Sequence, residues 1–411
     1  MSLKVLLNNT IWLSLSHLLS RGALMLVGIL LAKNLSIQDF ALYSYFQMTI
    51  VLIASYASLG LGPTATKYFA ELSTDEHNND KKQIVSSLVV LSLILAVISA
   101  LIIFVLPNDM LSSKFDISNA LFALAVFIIV IGIVPLGAIQ GLEKYKTMAY
   151  ISIVDGIILF VGACLAIYYK SAYIAIYSLI ISILFQAMLH SLTSYSGVVK
   201  LHINYAKSIN LKAFKELSEF FGPLMIITIL NTTSIYYIGR SILKIHGELY
   251  FSIFSIGLQW FSLALFVPGL VSRVILPRVI KQTTGIRKML IYSSISAFLF
   301  SSVVFIVGLL MENTLIGLYG NKYSSYPYII GYFLGISVFY APVNTLSNAL
   351  LAKIGSKYWL YITLIWFVVL MIIFNIMVEE FPILSIIYAH IVSSVVMLAL
   401  TIYICKRKRI L

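Results

Sequence analysis

The chain has 411 residues, of which 61% are hydrophobic and only 10% are charged, and its mean hydropathy is +1.00. A soluble domain is about half apolar and about a quarter charged, so this composition excludes an ordinary soluble protein. The formal net charge of +13 is typical of a membrane protein whose basic connections face anionic lipid. We therefore do not expect nucleic-acid binding, and we expect membrane lipids as partners.

Twelve apolar segments of membrane-spanning length are predicted along the chain. A span needs about 20 mostly apolar residues because the bilayer core is about 30 Å thick. The predicted spans are 11–31, 41–61, 84–106, 120–139, 149–169, 172–192, 220–239, 250–270, 290–311, 326–350, 358–378 and 383–404. They predict an all-α polytopic membrane protein.

The basic residues predict the orientation of these spans. Most of the 28 lysines and arginines fall in alternate connections, including the run at 406–409. Cytoplasmic connections carry the excess of lysine and arginine. Both termini are therefore predicted to be cytoplasmic.

The connection at 198–219 is predicted to divide the chain into six spans plus six. We predict an N-terminal six-helix bundle at 1–197, a cytoplasmic connecting loop at 198–219 and a C-terminal six-helix bundle at 220–411. An even number of spans in each half favours a parallel pseudo-repeat, and the segments DFALYSYF at 39–46 and ELYFSIFS at 248–255 support it. The cytoplasmic connection at 62–83 is predicted to be a solvated loop without periodicity.

Catalytic and nucleotide-binding motifs are missing from the sequence. It contains no Walker A loop, no His-Glu-x-x-His, no Cys-x-x-Cys and no paired carboxylates within a span. We therefore expect no catalytic residue, no cofactor and no metal site, and a secondary transporter rather than an enzyme.

Arg21 and His17 are the first candidate substrate-binding residues. Arg21 lies midway along the first span and His17 lies one turn earlier on the same face. An ionisable side chain at this depth costs about 2.5–3.5 kcal/mol unless it faces a partner or a wet cavity. A guanidinium binds phosphate oxygens bidentately, so we interpret Arg21 as an anion clamp, with a structural tie to carbonyls or to one carboxylate as the alternative.

Asp155 is the acidic residue placed well inside a span. Two roles fit it: an ion pair with Arg21, or a site for a coupling proton. The alternative is a purely structural ion pair, or an interfacial residue if the span starts later. Further candidate substrate-binding residues are the cations Arg240 and Arg273, for which interfacial snorkelling is the alternative, and neutral groups that suit sugar hydroxyls, for which interhelical hydrogen bonding is the alternative. The neutral groups are Gln47, Gln140, Gln186, Asn231, Gln259, Asn344 and Asn348, of which Gln47, Asn231 and Gln259 are predicted to bind substrate. His390 is assigned to packing.

Local motifs resemble those of the polysaccharide flippase (Wzx) group of the multidrug/oligosaccharidyl-lipid/polysaccharide exporter superfamily. They are NTIWL at 9–13, LSIQDFALY at 35–43, LGLGPTATK at 59–67, and Pro135 followed by GLEKY at 141–145. The resemblance implies a bacterial inner-membrane flippase. Its substrate would be an undecaprenyl-pyrophosphate-linked oligosaccharide such as an O-antigen repeat unit, moved to the periplasmic leaflet by alternating access.

The resemblance also implies a role for Arg21, because related lipid II flippases place an arginine of the first span at a cationic central cavity. An aspartate follows that arginine in those relatives, whereas Gly22 follows it here. Polymerase and chain-length proteins of the same pathway are the implied partners. The alternatives are a cation-coupled multidrug exporter of the same superfamily and an O-antigen polymerase, although a polymerase is expected to carry a long periplasmic loop.

Overall fold

The computed structural model describes residues 3–58, 60–74, 79–107, 111, 114–200, 211–269, 286–353 and 355–408. Within these ranges the chain is helical and contains no strand. The α-helices are α1 (Leu3–Asn34), α2 (Ile37–Ser58), α3 (Leu61–Thr74), α4 (Asn79–Val105), α5 (Asn119–Gly141), α6 (Tyr145–Tyr168), α7 (Ala172–Lys200), α8 (Leu211–His246), α9 (Glu248–Ala264), α10 (Ile286–Leu310), α11 (Glu312–Gly317), α12 (Tyr328–Lys353), α13 (Ser356–Met377) and α14 (Pro382–Arg407).

Ten of the described helices are long and apolar enough to cross a membrane. They are α1, α2, α4 to α7, α10 and α12 to α14, and they correspond to ten of the predicted spans. The all-helical, multi-pass prediction is therefore confirmed. The seventh and eighth predicted spans fall on α8, whose middle carries the polar run 231–234, and on α9, which has 17 residues. The total of twelve, the pseudo-repeat and the orientation stay predictions.

The connection after α2 differs from the predicted solvated loop. Residues 61–74 form α3, and its side chains at Leu61, Ala65, Phe69 and Leu72 are buried against α4 and α5. This spacing of about four residues places them on one helical face. At 14 residues α3 is too short for a span, so its sequence lacks the long apolar run that predicts a membrane helix.

The chain divides into two compact units. The first unit comprises Met1–Val27 and Leu42–Met225, and the second comprises Gly28–Ala41 and Ile226–Leu411. In the first unit, α5 packs against α3, α4 and α7, and α6 packs against α7. In the second unit, α12 packs against α9, α10 and α14, and α13 packs against α14.

The C-terminal end of α1 and the start of α2 are held within the second unit. Lys322 donates a hydrogen bond to the carbonyl of Leu35, and Ser252 donates to the carbonyl of Ile37 at 3.4 Å. Burial lowers the pKa of Lys322. Ser36 and Asp39 form a cap for α2, because the Asp39 amide donates to Ser36 Oγ at 3.0 Å and the Ser36 hydroxyl donates to the Asp39 carboxylate at 2.6 Å. These contacts fix how the chain leaves α1 and enters α2.

Gly141 allows α3 and α5 to approach closely. A Cβ at this position would lie 2.5 Å from the carbonyl oxygen of Thr66 and 2.9 Å from the amide nitrogen of Ala70. Both atoms are backbone, so Gly141→Ala must push the helices apart. We expect the free energy of unfolding to fall by about 1–3 kcal/mol, measured as a lower midpoint of thermal unfolding of the purified protein in detergent.

Gly22→Ala is the matched control for this substitution. Gly22 also lies within a helix, but a Cβ there would have no atom within 4 Å. Alanine is favoured over glycine in a helix by up to about 1 kcal/mol, so the midpoint is expected to stay the same or rise. An equal loss of stability in both variants would contradict the packing explanation.

Candidate functional site

A buried polar cluster surrounds Asp155 in the first unit. Asp155 lies on α6 and is only 6% exposed. Ser182 donates its hydroxyl to Asp155 Oδ1, and Gln186 Nε2 donates to Oδ2 over 3.4 Å. Because Ser182 and Gln186 are four residues apart on α7, they share one helical face. Both carboxylate oxygens of Asp155 on α6 therefore accept hydrogen bonds from side chains of α7.

The contact between α1 and α6 places this cluster along α1. Ser16 Oγ lies 3.0 Å from Ser152 Oγ, and a Cβ at Gly156 would lie 3.2 Å from Ala23 Cβ. From Ser16 to Ala23 along α1, the residue contacted on α6 changes from Ser152 to Gly156, so α1 and α6 run in the same direction. Asp155 accordingly lies at the level of the turn of α1 that contains Arg21.

Arg21 occupies its own face of α1 and is exposed. Between residues 11 and 34 of this helix, the exposed large apolar side chains are Ile11, Leu18 and Leu26. At about 100° per residue, these three lie about 60–140° around the helix from Arg21, whereas Ser16 and Ala23 lie about 140–160° away in the opposite direction. Position 21 therefore lies neither on the apolar stripe nor on the face of α1 that contacts α6. His17, one turn earlier, is partly exposed.

The remaining predicted site residues have several different surroundings. Gln47 lies on α2 in the first unit and is partly exposed. In the second unit, Arg240 Nη1 donates to the Tyr236 hydroxyl at 3.3 Å. Gln259 accepts a hydrogen bond from the Tyr319 hydroxyl at 3.3 Å and packs tightly against Gly28. Arg273 lies outside the described residues.

Asn231 lines a cavity of about 200 Å³ inside the second unit. The side chains of Trp366 and His390 also line it, with their ring centroids 6.5 Å apart. The sequence predicted Asn231 as a substrate contact and His390 as packing, and it gave no role to Trp366. The structure groups Arg21, His17, Gln47 and Asp155 in the first unit and places Asn231, Arg240 and Gln259 in the second, so the single predicted substrate site stays a prediction.

Ser182 was missed as a neighbour of Asp155, although its spacing from Gln186 was a usable signal. The proposed pairing of Asp155 with Arg21 stays a prediction. Among the residues that the structure describes, no group of three or more His, Cys, Asp or Glu side chains is arranged to hold a metal ion.

A family profile described as polysaccharide biosynthesis protein matches residues 6–244. The chain belongs to the polysaccharide biosynthesis protein family. The matched segment includes Arg21 and the Asp155 cluster, so these candidate residues of the polysaccharide biosynthesis protein lie within the part that defines the family. No match to a curated protein was found.

Solved structures of two kinds of membrane protein share the fold of this polysaccharide biosynthesis protein. An inward-facing multidrug resistance MATE transporter of the MOP superfamily is 16% identical, with a TM-score of 0.70 over 98% of both chains. An outward-facing MATE transporter is 16% identical, with a TM-score of 0.72 over 98% of this chain and 94% of that chain. The lipid II flippase MurJ, in an inward closed conformation, is 15% identical, with a TM-score of 0.70 over 96% of this chain and 87% of that chain. The fold that the resemblance implied is confirmed.

Proposed function

We propose that this protein is a flippase that moves an undecaprenyl-pyrophosphate-linked oligosaccharide from the cytoplasmic to the periplasmic leaflet of a bacterial inner membrane. The observation that carries the proposal is the position of Arg21, an exposed residue halfway along a helix of membrane-spanning length and off its apolar stripe. A cation on that face can bind the diphosphate bidentately. Family membership and the fold shared with a lipid II flippase support a lipid-linked glycan as the substrate.

The proposed mechanism is alternating access. The diphosphate binds at Arg21 and His17, which shields its charge from hydrocarbon, while the lipid tail stays in the bilayer. Asp155 is proposed as a coupling site separate from Arg21, because both of its oxygens already accept hydrogen bonds from α7. An O-antigen repeat unit is the proposed substrate, and polymerase and chain-length proteins of the same pathway are the proposed partners.

The experiment that tests this function is a gel of surface lipopolysaccharide from a strain that lacks the gene, beside the same strain with a restored copy. We expect the long ladder to disappear and to return with the copy, with no band of a single repeat unit in the deletion strain. That pattern means that the unit never crossed the membrane.

Two other patterns on this gel would contradict the proposal. A persisting single-unit band would indicate a polymerase, because the unit would have crossed without being extended. An unchanged ladder would exclude O-antigen as the substrate. The second candidate function, drug export, is favoured by the fold shared with MATE transporters, and an unchanged ladder together with increased drug sensitivity of the deletion strain would support it.

A further inference from the structure

The cavity in the second unit has aromatic walls and neutral polar groups. It is half-enclosed, has a volume of about 200 Å³, and lies between α8, α9, α12, α13 and α14. Phe261, Phe333, Tyr340 and Trp366 supply its rings, and Asn231 and His390 supply side-chain polar groups. Among the lining residues that the structure describes, none is Asp, Glu, Lys or Arg.

Trp366 supplies a hydrogen-bond donor to this cavity. Its side chain is only 3% exposed, and its Nε1 is buried with no hydrogen-bond partner among the described residues. A buried donor without an acceptor destabilises the protein, so each such group requires an explanation. An acceptor on a molecule bound in the cavity would satisfy this N–H.

The other polar groups of the cavity are also suited to a ligand. The Ser234 hydroxyl donates to the carbonyl of Asn231 at 2.7 Å, so its oxygen remains as an acceptor while the Asn231 amide can both donate and accept. His390 is 8% exposed and lies beside Trp366. These groups supply both donors and acceptors, and none of them is a carboxylate or an amine.

We infer that this cavity binds one sugar ring of the lipid-linked glycan, an inference that rests on the proposed function. A sugar ring presents C–H groups that pack on aromatic faces and hydroxyls that both donate and accept. A cavity of roughly 150 Å³ holds a benzene ring, so about 200 Å³ accommodates one six-membered ring with substituents. A phosphate fits the described part of the lining poorly, because that part contains no lysine or arginine.

Binding of free monosaccharides to the purified full-length protein tests the inference. The probes are glucose, galactose, rhamnose and N-acetylglucosamine, each measured by saturation-transfer NMR in detergent. We expect at least one of them to bind in the millimolar range. Trp366→Phe keeps an aromatic ring but removes the N–H, and we expect it to weaken that binding by about three- to tenfold.

Trp359→Phe is the matched control, because Trp359 lies on the same helix and is buried but does not line the cavity. Its sugar affinity is expected to match that of the unsubstituted protein. Asn231→Leu, which is similar in size and cannot hydrogen-bond, is a second variant should Trp366→Phe fail to fold, and it is expected to weaken binding likewise. Thermal unfolding of each variant establishes that it is folded.

The outcomes separate this inference from the proposed function. No sugar binding to the unsubstituted protein, or equal weakening in Trp359→Phe, would overturn the sugar site even where the deletion strain loses its ladder. Binding of tetraphenylphosphonium that displaces the sugar and depends on Trp366 would overturn it in favour of a drug site. An unchanged ladder beside sugar binding that depends on Trp366 would exclude O-antigen as the substrate and would still support the sugar site.

Discussion

Export of the lipid-linked glycan is expected to fall at least about tenfold when Arg21 is replaced by alanine, with the amount of protein in the membrane unchanged. Hydrogen bonds to charged groups contribute about 1.5–3 kcal/mol each, and 1.4 kcal/mol corresponds to about tenfold in an equilibrium constant. A bidentate contact with a diphosphate supplies two of them. The measurement is the intensity of the lipopolysaccharide ladder, normalised to protein level, in the deletion strain carrying each variant.

The expected size of this effect follows from where Arg21 lies on α1. An arginine at the centre of a bilayer costs about 2.5–3.5 kcal/mol on the insertion scale unless it is compensated. Arg21 is exposed, yet it lies off the stripe formed by Ile11, Leu18 and Leu26. A position that served only packing would be more stable with alanine. In the proposed function this guanidinium binds a charged ligand, so its removal is expected to lower export rather than to raise stability alone.

Two further variants distinguish the charge of Arg21 from its geometry. Arg21→Lys keeps the charge but loses the planar, bidentate fork, so intermediate export is expected. Lys33→Ala removes an exposed cation from the last turn of the same helix and is expected to export normally. Full export by Arg21→Ala at normal protein level would show that Arg21 does not bind the substrate.

The membrane helices were predictable from the sequence because burial in lipid imposes a strong and local requirement. An apolar stretch such as 120–139 must form a helix to satisfy its backbone in hydrocarbon, and the structure has α5 there. A membrane span is harder to predict where the helix carries polar residues, because these lower its hydropathy. Asn231 is such a residue of α8, and it also lines the cavity.

The packing between helices was not predictable in the same way. Helix α3 escaped detection because a buried face of four residues is a weaker signal than a continuous apolar run. The assignment of residues 28–41 to the second unit depends on contacts such as Lys322 with the carbonyl of Leu35. Those partners are far apart in the chain, and a single sequence carries no information on which of them meet.

The candidate site was predictable at its charged residues and not at their neighbours. Arg21 and Asp155 stand out because ionisable groups are rare within membrane spans. Ser182 and Trp366 do not stand out because their side chains are uncharged, and their roles appear only through Asp155 and the cavity. The charged residues could be identified from their residue type alone, whereas their neutral neighbours could be identified only from the three-dimensional contacts.

Replacement of Asp155 by asparagine is expected to remove the response of transport to an ion gradient while the protein stays folded. Asparagine has a similar shape and can still accept the Ser182 hydroxyl, but it can neither bind a proton nor carry a negative charge. The measurement is flipping of a labelled lipid-linked sugar in proteoliposomes, with and without an imposed proton or sodium gradient. The unsubstituted protein is expected to accelerate with one of these gradients, whereas Asp155→Asn is expected to keep its gradient-free rate.

Ser182→Ala provides the opposite change, because it keeps the carboxylate and removes one of its two hydrogen-bond donors. An acceptor left without its donor in a buried site costs about 1–3 kcal/mol, so this variant is expected to unfold at a lower temperature yet keep its gradient response. Asp155→Asn is expected to be at least as stable as the unsubstituted protein, since a buried neutral amide costs less than a buried carboxylate. If Asp155 instead serves only to neutralise Arg21, Asp155→Asn leaves an uncompensated guanidinium, and the thermal midpoint and the membrane level fall together while the gradient response persists. A coupling role therefore predicts that Asp155→Asn keeps its stability and loses its gradient response, and a neutralising role predicts the reverse. This pair of variants is decisive for Asp155.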